Sequence, residues 1–207
     1  MALIKIRTAE PVTKDERRQP RDCAHLAAGL DNANPIARRW AARDLTDCPG
    51  ASAALVDRLQ REDDLSVREV ILTTLTSLGD EMAVAGLVAC LRIENVVLRN
   101  EAIEAMKQLP EAVAPIMRGL LVDHDPDVRI FAVNILESLR HPEVEAWLIM
   151  VIDKDPHLNV CATAVDLLGE VGSPAAREPL LRLKARYGDE PYIQFAADLA
   201  LKRIDEA

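Results

Sequence analysis

The chain has 207 residues; 49% are hydrophobic, only 3% are aromatic, and the net charge is −9 with a pI near 5.0. That length suits one or two domains with a continuous core, and an apolar content carried by Ala, Leu and Val suits closely packed helices rather than a sheet. The acidic balance argues against a general nucleic-acid binder, which needs a clustered basic face; a basic protein surface is the better electrostatic match.

No apolar run reaches the roughly 18 residues that a membrane-spanning helix requires, and the polar N-terminus leaves no room for a secretory apolar core. Cys23, Cys48, Cys90 and Cys161 are widely spaced with no Cys-x-x-Cys pair. Reduced thiols and a cytoplasmic location are expected from that usage.

Residues 1–21 are charged and lack an apolar stripe; they are expected to form a flexible tail, with a short extended piece at residues 3–6. The repeat domain is expected over residues 22–207. Residues 23–30, with Leu26 and Leu30 on one face, read as a single capping helix. Asn34-Pro35 then opens the first helix pair, Asn as N-cap and Pro at the first helical position.

The same phrase recurs from there on. Arg38, Arg68, Arg99 and Arg129 follow one another at intervals of 30, 31 and 30 residues. Four residues before each stands Asn34, Asp64, Asn95 or Asp125; three after stands Ala41, Ile71, Ala102 or Ala132; seven after stands Leu45, Leu75, Met106 or Leu136. A period near 30 with two helical stretches marks an α-solenoid. Second helices are expected around residues 55–59, 87–91, 116–121, 148–152 and 180–183. In the fifth pair Cys161 stands where the arginines stand. A last helix over residues 192–204 caps the C-terminal end. The expected fold is all-α: about five antiparallel helix pairs with a single-helix cap at each end.

Asp125-Pro126-Asp127-Val128-Arg129, with Ala132, Leu136, Leu139 and Pro142, resembles the HEAT family, and more narrowly the short bacterial repeats named after phycobilisome lyases. The turn Leu168-Gly169-Glu170-Val171-Gly172-Ser173-Pro174 carries the same resemblance, which covers residues 23–204. It implies an α-solenoid whose second helices line the concave face. It does not select a function, since the family includes adaptors, bilin lyase subunits, an iron-dependent hydroxylase and DNA glycosylases.

The arginine ladder offers either a row of cations for an acidic ligand or a repeated internal contact. The fixed offset of Asp64, Asp125 and Asp155 from the arginines favours the internal contact. The acidic turns at residues 123–127 and 153–157 hold His124 and His157 among carboxylates, a set that could bind a divalent metal or cap helices. The hydroxylase-type members carry His-Glu pairs; this chain contains none, so no metal and no cofactor are expected. Cys23 with His25 lacks zinc-ligand partners, and Cys161 lacks a triad. No catalytic residue is assigned.

The rows flanking the second helices' inward positions Leu55, Leu87, Ile116, Leu148 and Leu180 are small or apolar, with arginines between them. Arg58, Cys90, Arg92, Arg118, Trp147, Met150 and Arg182 are therefore the candidate contacts for a protein segment. For Trp147 two readings stand, one lining the groove and one packing between pairs. The expected function is a monomeric, non-enzymatic scaffold for a protein partner; the alternative is a subunit of a bilin lyase-like or other modifying enzyme.

Overall fold

A computed structural model describes residues 22–206; the tail over residues 1–21 lies outside them. Among the described residues all regular structure is helical. The chain divides into two compact units, one running to Cys90 and the other starting at Leu91.

The first unit holds α1 (Cys23–Gly29), α2 (Pro35–Asp44), α3 (Ser52–Gln60), α4 (Leu65–Leu78) and α5 (Glu81–Cys90). The second holds α6 (Val96–Lys107), α7 (Pro110–Leu120), α8 (Pro126–Leu136), α9 (Val144–Lys154), α10 (Leu158–Val171), α11 (Arg177–Arg186) and α12 (Pro191–Glu206). Helices α2/α3, α4/α5, α6/α7, α8/α9 and α10/α11 form the five pairs; α1 and α12 stand single. Within the units the first helices stack on one another, α2 on α4, then α6 on α8 on α10 on α12.

Local chemistry starts the first helices where the sequence places them. Asn34, Asp64, Asn95 and Asp125 each accept a hydrogen bond from a first-turn N–H, at 3.0 Å from Ile36, 2.9 Å from Ser66, 3.1 Å from Leu98 and 2.9 Å from Asp127. Those bonds satisfy donors that the helix itself leaves free. Gly79 ends α4 at φ 55°, the left-handed conformation that glycine adopts without steric cost. Ala41, Ile71, Ala102, Ala132 and Ala164 are buried, as are Leu45, Leu75, Met106, Leu136 and Leu168. Gly86 lets α5 close on α3, since a Cβ there would stand 2.2 Å from a Val56 methyl.

The arginine ladder is an internal contact; Asp155 is a partner as expected, whereas Asp64 and Asp125 are not. Asp64 and Asp125 are used as helix caps. The carboxylate that receives the guanidinium stands two residues before the cap position. Arg38 forks onto Glu62 at 2.8 and 2.7 Å, and Arg129 onto Asp155 at 2.6 and 3.0 Å. Arg38, Arg99 and Arg129 also donate back to the carbonyl six residues earlier, that of Asn32 at 2.9 Å, Ile93 at 3.1 Å and Asp123 at 2.7 Å. The acid at the equivalent place for Arg99 is Asp123, which Arg92 holds, and the Arg99 guanidinium lies over the Phe131 ring at 4.9 Å instead. Arg68 holds the same place in α4 and is buried.

Cys161 fills the arginine position of α10. Its Sγ donates to the carbonyl six residues earlier, that of Asp155, at 3.4 Å. Arg186, from α11, supplies the missing guanidinium. It donates to the carbonyls of Ile152 at 2.9 Å and Asp153 at 3.1 Å, and to the Cys161 Sγ at 3.0 Å. Burial pushes the Cys161 thiol up, and Arg186 only partly offsets it. A fully covered thiol of that kind is a core residue rather than a nucleophile.

Glu62 receives Arg58 as well as Arg38, at 2.8 Å. Burial pushes its carboxyl up, but hydrogen bonds from Arg38, the Asp64 N–H and Arg58 prevail and hold it at about 2, against an ordinary 4.5. Its stabilisation is therefore complete above pH 4.5 and is lost as the pH falls toward 2, a contribution on the order of 3 kcal/mol. Glu62→Gln is expected to lower the melting temperature at pH 7 and to flatten the acid limb below pH 4.5. Thermal unfolding followed by circular dichroism from pH 7 to 2.5 measures this; an acid limb as steep as the wild type's would refute it.

The expectation that all four cysteines are reduced is corrected for one pair. Cys23 and Cys48 are joined in a disulfide, with Cα atoms 5.6 Å apart across a sequence separation of 25. It ties the start of α1 to the turn before α3. Their distance along the chain concealed what the antiparallel return of the first repeat brings together. Cys90 and Cys161 are free and buried.

Candidate functional site

Of the seven candidate contacts on the second helices, the structure withdraws three. Cys90 is 1% exposed, and burial pushes its thiol up to about 11. Trp147 is 4% exposed and stacks on His141 with ring centroids 4.9 Å apart. It packs between elements, the second of the two readings open to it. Arg58 is largely covered and committed to Glu62. In α7 the inward anchor is Met117, fully buried, rather than Ile116. That shift of one residue turns the helix by about 100° and leaves Arg118 exposed.

Arg92, Arg118, Met150 and Arg182 remain at the surface of the second unit. Each arginine is paired with an acid. Arg92 holds Asp123, and this hydrogen bond above all keeps the Asp123 carboxyl at about 2. Arg118 meets Glu143 at 3.1 Å. Arg182 bonds both oxygens of Asp153, at 2.9 and 2.8 Å. The acidic turns are thereby used up internally: Asp123, Asp153 and Asp155 by arginines, Asp125 as a cap. Among the described residues no group of three or more His, Cys, Asp or Glu is placed to hold a metal ion.

Between the ends of α7 and α9 lies a recess of about 240 Å³. Leu121, Val122, Met150 and Val151 form its apolar wall, with Pro156 at one side; Asp123, Arg129, Lys154 and Asp155 are its polar members. Its lining includes the buried Arg129–Asp155 pair. Val122 is 65% exposed, an apolar side chain left standing beside an apolar hollow. Sequence reasoning picked out Met150 but missed Val122, Glu62 and Arg186. For Glu62 the signal was present: the residues six before each ladder position read Asn32, Glu62, Ile93, Asp123 and Asp155, a column of mostly acidic side chains. Val122 had none, because it sits in a linker after the helical pattern ends.

Antiparallel helix pairs, stacked within each unit and joined by carboxylate-capped linkers and guanidinium clamps, define a helical-repeat protein of the α-solenoid class. The HEAT repeats family model matches residues 23–107 and 113–202, and the chain belongs to that family. Among curated proteins none matches the sequence. Solved structures that resemble it include human deoxyhypusine hydroxylase in complex with glycerol, at 16% identity over 89% of this chain and 85% of that one, with a TM-score of 0.47. The complex of CpcE and CpcF of phycocyanin lyase from Nostoc sp. is 20% identical over 96% and 99% of the two chains, TM-score 0.38. A designed armadillo repeat protein in complex with the peptide (KR)4 is 17% identical over 89% and 100%, TM-score 0.43. No helix of the described residues is long and apolar enough to cross a membrane.

Proposed function

We propose that this chain is a non-enzymatic scaffold that holds a segment of a partner protein along the second helices of residues 91–207, with one apolar anchor of that segment seated in the recess between Val122 and Met150. The observation that carries this reading is the recess itself: an apolar hollow lined also by the buried Arg129–Asp155 pair, with the exposed Val122 at its edge. A buried anchor flanked by paired charges is how peptide segments are commonly gripped. The arginines Arg92 and Arg182, already oriented by Asp123 and Asp153, would border the segment.

The reading as a subunit of a bilin lyase-like enzyme has less support. Small-molecule sites occupy roughly 300–1,000 Å³, and a hollow of about 240 Å³ suits one side chain better than a tetrapyrrole. A cytoplasmic location also belongs to this proposal; the free Cys90 and Cys161 accord with it, whereas the Cys23–Cys48 bond weighs against a reducing compartment.

Val122→Asp with Met150→Asp tests the scaffold reading. Val122 is exposed and Met150 half-buried, so melting should fall by less than for a core truncation such as Trp147→Ala. Losing the anchor's burial should weaken partner capture roughly 10- to 100-fold. Parallel affinity capture from native lysate with quantitative mass spectrometry measures it. If both proteins capture the same partners equally well, the recess is not the binding site.

A further inference from the structure

The charges at the recess between α7 and α9 are unevenly committed. Two carboxylates line it, and each is engaged on both oxygens. Arg92 spans the oxygens of Asp123, one of which also accepts the Asp125 N–H at 3.0 Å. Arg129 spans those of Asp155, which also accepts the His157 N–H at 2.8 Å. The acids next to them in the chain are occupied too. Arg182 holds both oxygens of Asp153, and Asp125 caps α8.

Lys154 is the exception. It lines the recess and is exposed, and among the described residues no carboxylate stands at ion-pair distance from it. An ammonium brings three donors and no acceptor, so the side-chain polar capacity left in the recess is one positive donor. A partner's lysine or arginine would meet no open carboxylate there. A tyrosine or tryptophan anchor would lack a side-chain acceptor for its O–H or N–H, which such groups take when buried. An aliphatic anchor has neither need. Met150 and Lys154 lie four residues apart on α9, so they are neighbours on one face with Cβ atoms roughly 5–6 Å apart. In an extended segment every second side chain points the same way, at a spacing of about 6.6 Å.

We infer that the partner segment is extended and carries an Asp or Glu two positions from an aliphatic anchor, the anchor between Val122 and Met150 and the carboxylate on Lys154. This rests on the reading that the recess seats a partner's anchor, and adds the chemistry of the segment that fits it. The net charge of −9 by itself points to a basic partner surface. At the recess the local cation decides instead, because salt screens exposed charges more than about 8–10 Å away. Lys154 also stands in the last turn of α9, where a cation complements the helix C-terminus; that role would affect melting but not the choice between peptides.

The probes are the peptide acetyl-Glu-Ser-Leu-Ser-Glu-amide and its counterparts with glutamine or lysine in place of both glutamates, so that either chain direction is served. They are titrated at low salt into the full chain labelled with carbon-13 in its methionine methyls. The Met150 methyl reports the recess and the buried Met117 methyl the core; affinity is read from the initial slope of the Met150 shift. The glutamate peptide should bind roughly three- to fivefold more tightly than the glutamine peptide, and the lysine peptide most weakly. Lys154→Gln should level the glutamate and glutamine peptides, and Lys154→Glu should reverse the order in favour of the lysine peptide. Glutamate and glutamine peptides that move Met150 equally in the wild type overturn the acidic preference and leave the recess standing as a binding site. If no peptide moves Met150, the recess reading falls and this inference with it. A preference for glutamate that survives Lys154→Glu, whatever that variant's melting temperature, leaves Lys154 only its helix-end role and overturns the assignment.

Discussion

Arg129→Ala is expected to destabilise the second unit by about 3–5 kcal/mol, the cost of leaving one member of a buried ion pair alone. Asp155 is 7% exposed and Arg129 8%. The guanidinium satisfies both carboxylate oxygens and also the carbonyl of Asp123. Asp155 raises the already high pKa of the arginine further through that hydrogen bond, so the guanidinium stays charged across the working range. Removing the arginine strands a buried carboxylate and orphans a carbonyl together. Arg129→Lys should recover only part of the loss, because an ammonium cannot fork onto two oxygens and a carbonyl in one plane. Arg92→Ala, at a pair that is partly exposed, should cost no more than about 1 kcal/mol. Urea unfolding read by the fluorescence of Trp147, the tryptophan of this unit, makes the comparison. Equal small losses for Arg129→Ala and Arg92→Ala would show that the pair does not hold the repeats.

Trp147→Ala should cost about 3–5 kcal/mol, as for other large aromatic truncations in a core. Its ring fills the space between α9 and the turn that carries His141, beside the buried Leu148 and Val151. Met150→Ala, three residues on and half-buried, should cost clearly less. The two can be separated by melting each single variant. Should Trp147→Ala melt within a degree or two of the wild type, the ring is not part of the core. The large expected loss also means that a variant lacking both side chains would confuse unfolding with lost binding; Val122 and Met150 are the appropriate pair for a binding test.

The capping phrase Asp125-Pro126-Asp127-Val128-Arg129 and its copies made the helix starts legible, because an N-cap, a proline at the first turn and an apolar spacing of three and four residues act over a single turn. The sequence alone also showed that the arginines have a repeated internal role, and that Cys161 replaces one of them. It did not show that Arg186 would make good the loss, since that side chain comes from a different helix 25 residues away.

The candidate site was less legible for one physical reason. On a helix each residue turns the side-chain direction by about 100°, so reading α7 from Ile116 instead of Met117 changes which groups face out. The buried Trp147 and Cys90 look in sequence like the apolar lining of a groove, because core and groove draw on the same residue types.

By itself, then, the sequence determined the helical repeat, its pairs, its caps and the recurrence of its arginines, through patterns that repeat with each helix pair and helix starts set within one or two turns of chain. Only the tertiary structure decided which acid each arginine takes, that Cys23 meets Cys48, that the chain divides at Cys90, and that Val122 and Met150 rather than Trp147 stand beside an open recess. Those outcomes depend on how helices rotate and approach one another, and that is settled by packing among residues 25 to 30 positions apart rather than by any local preference.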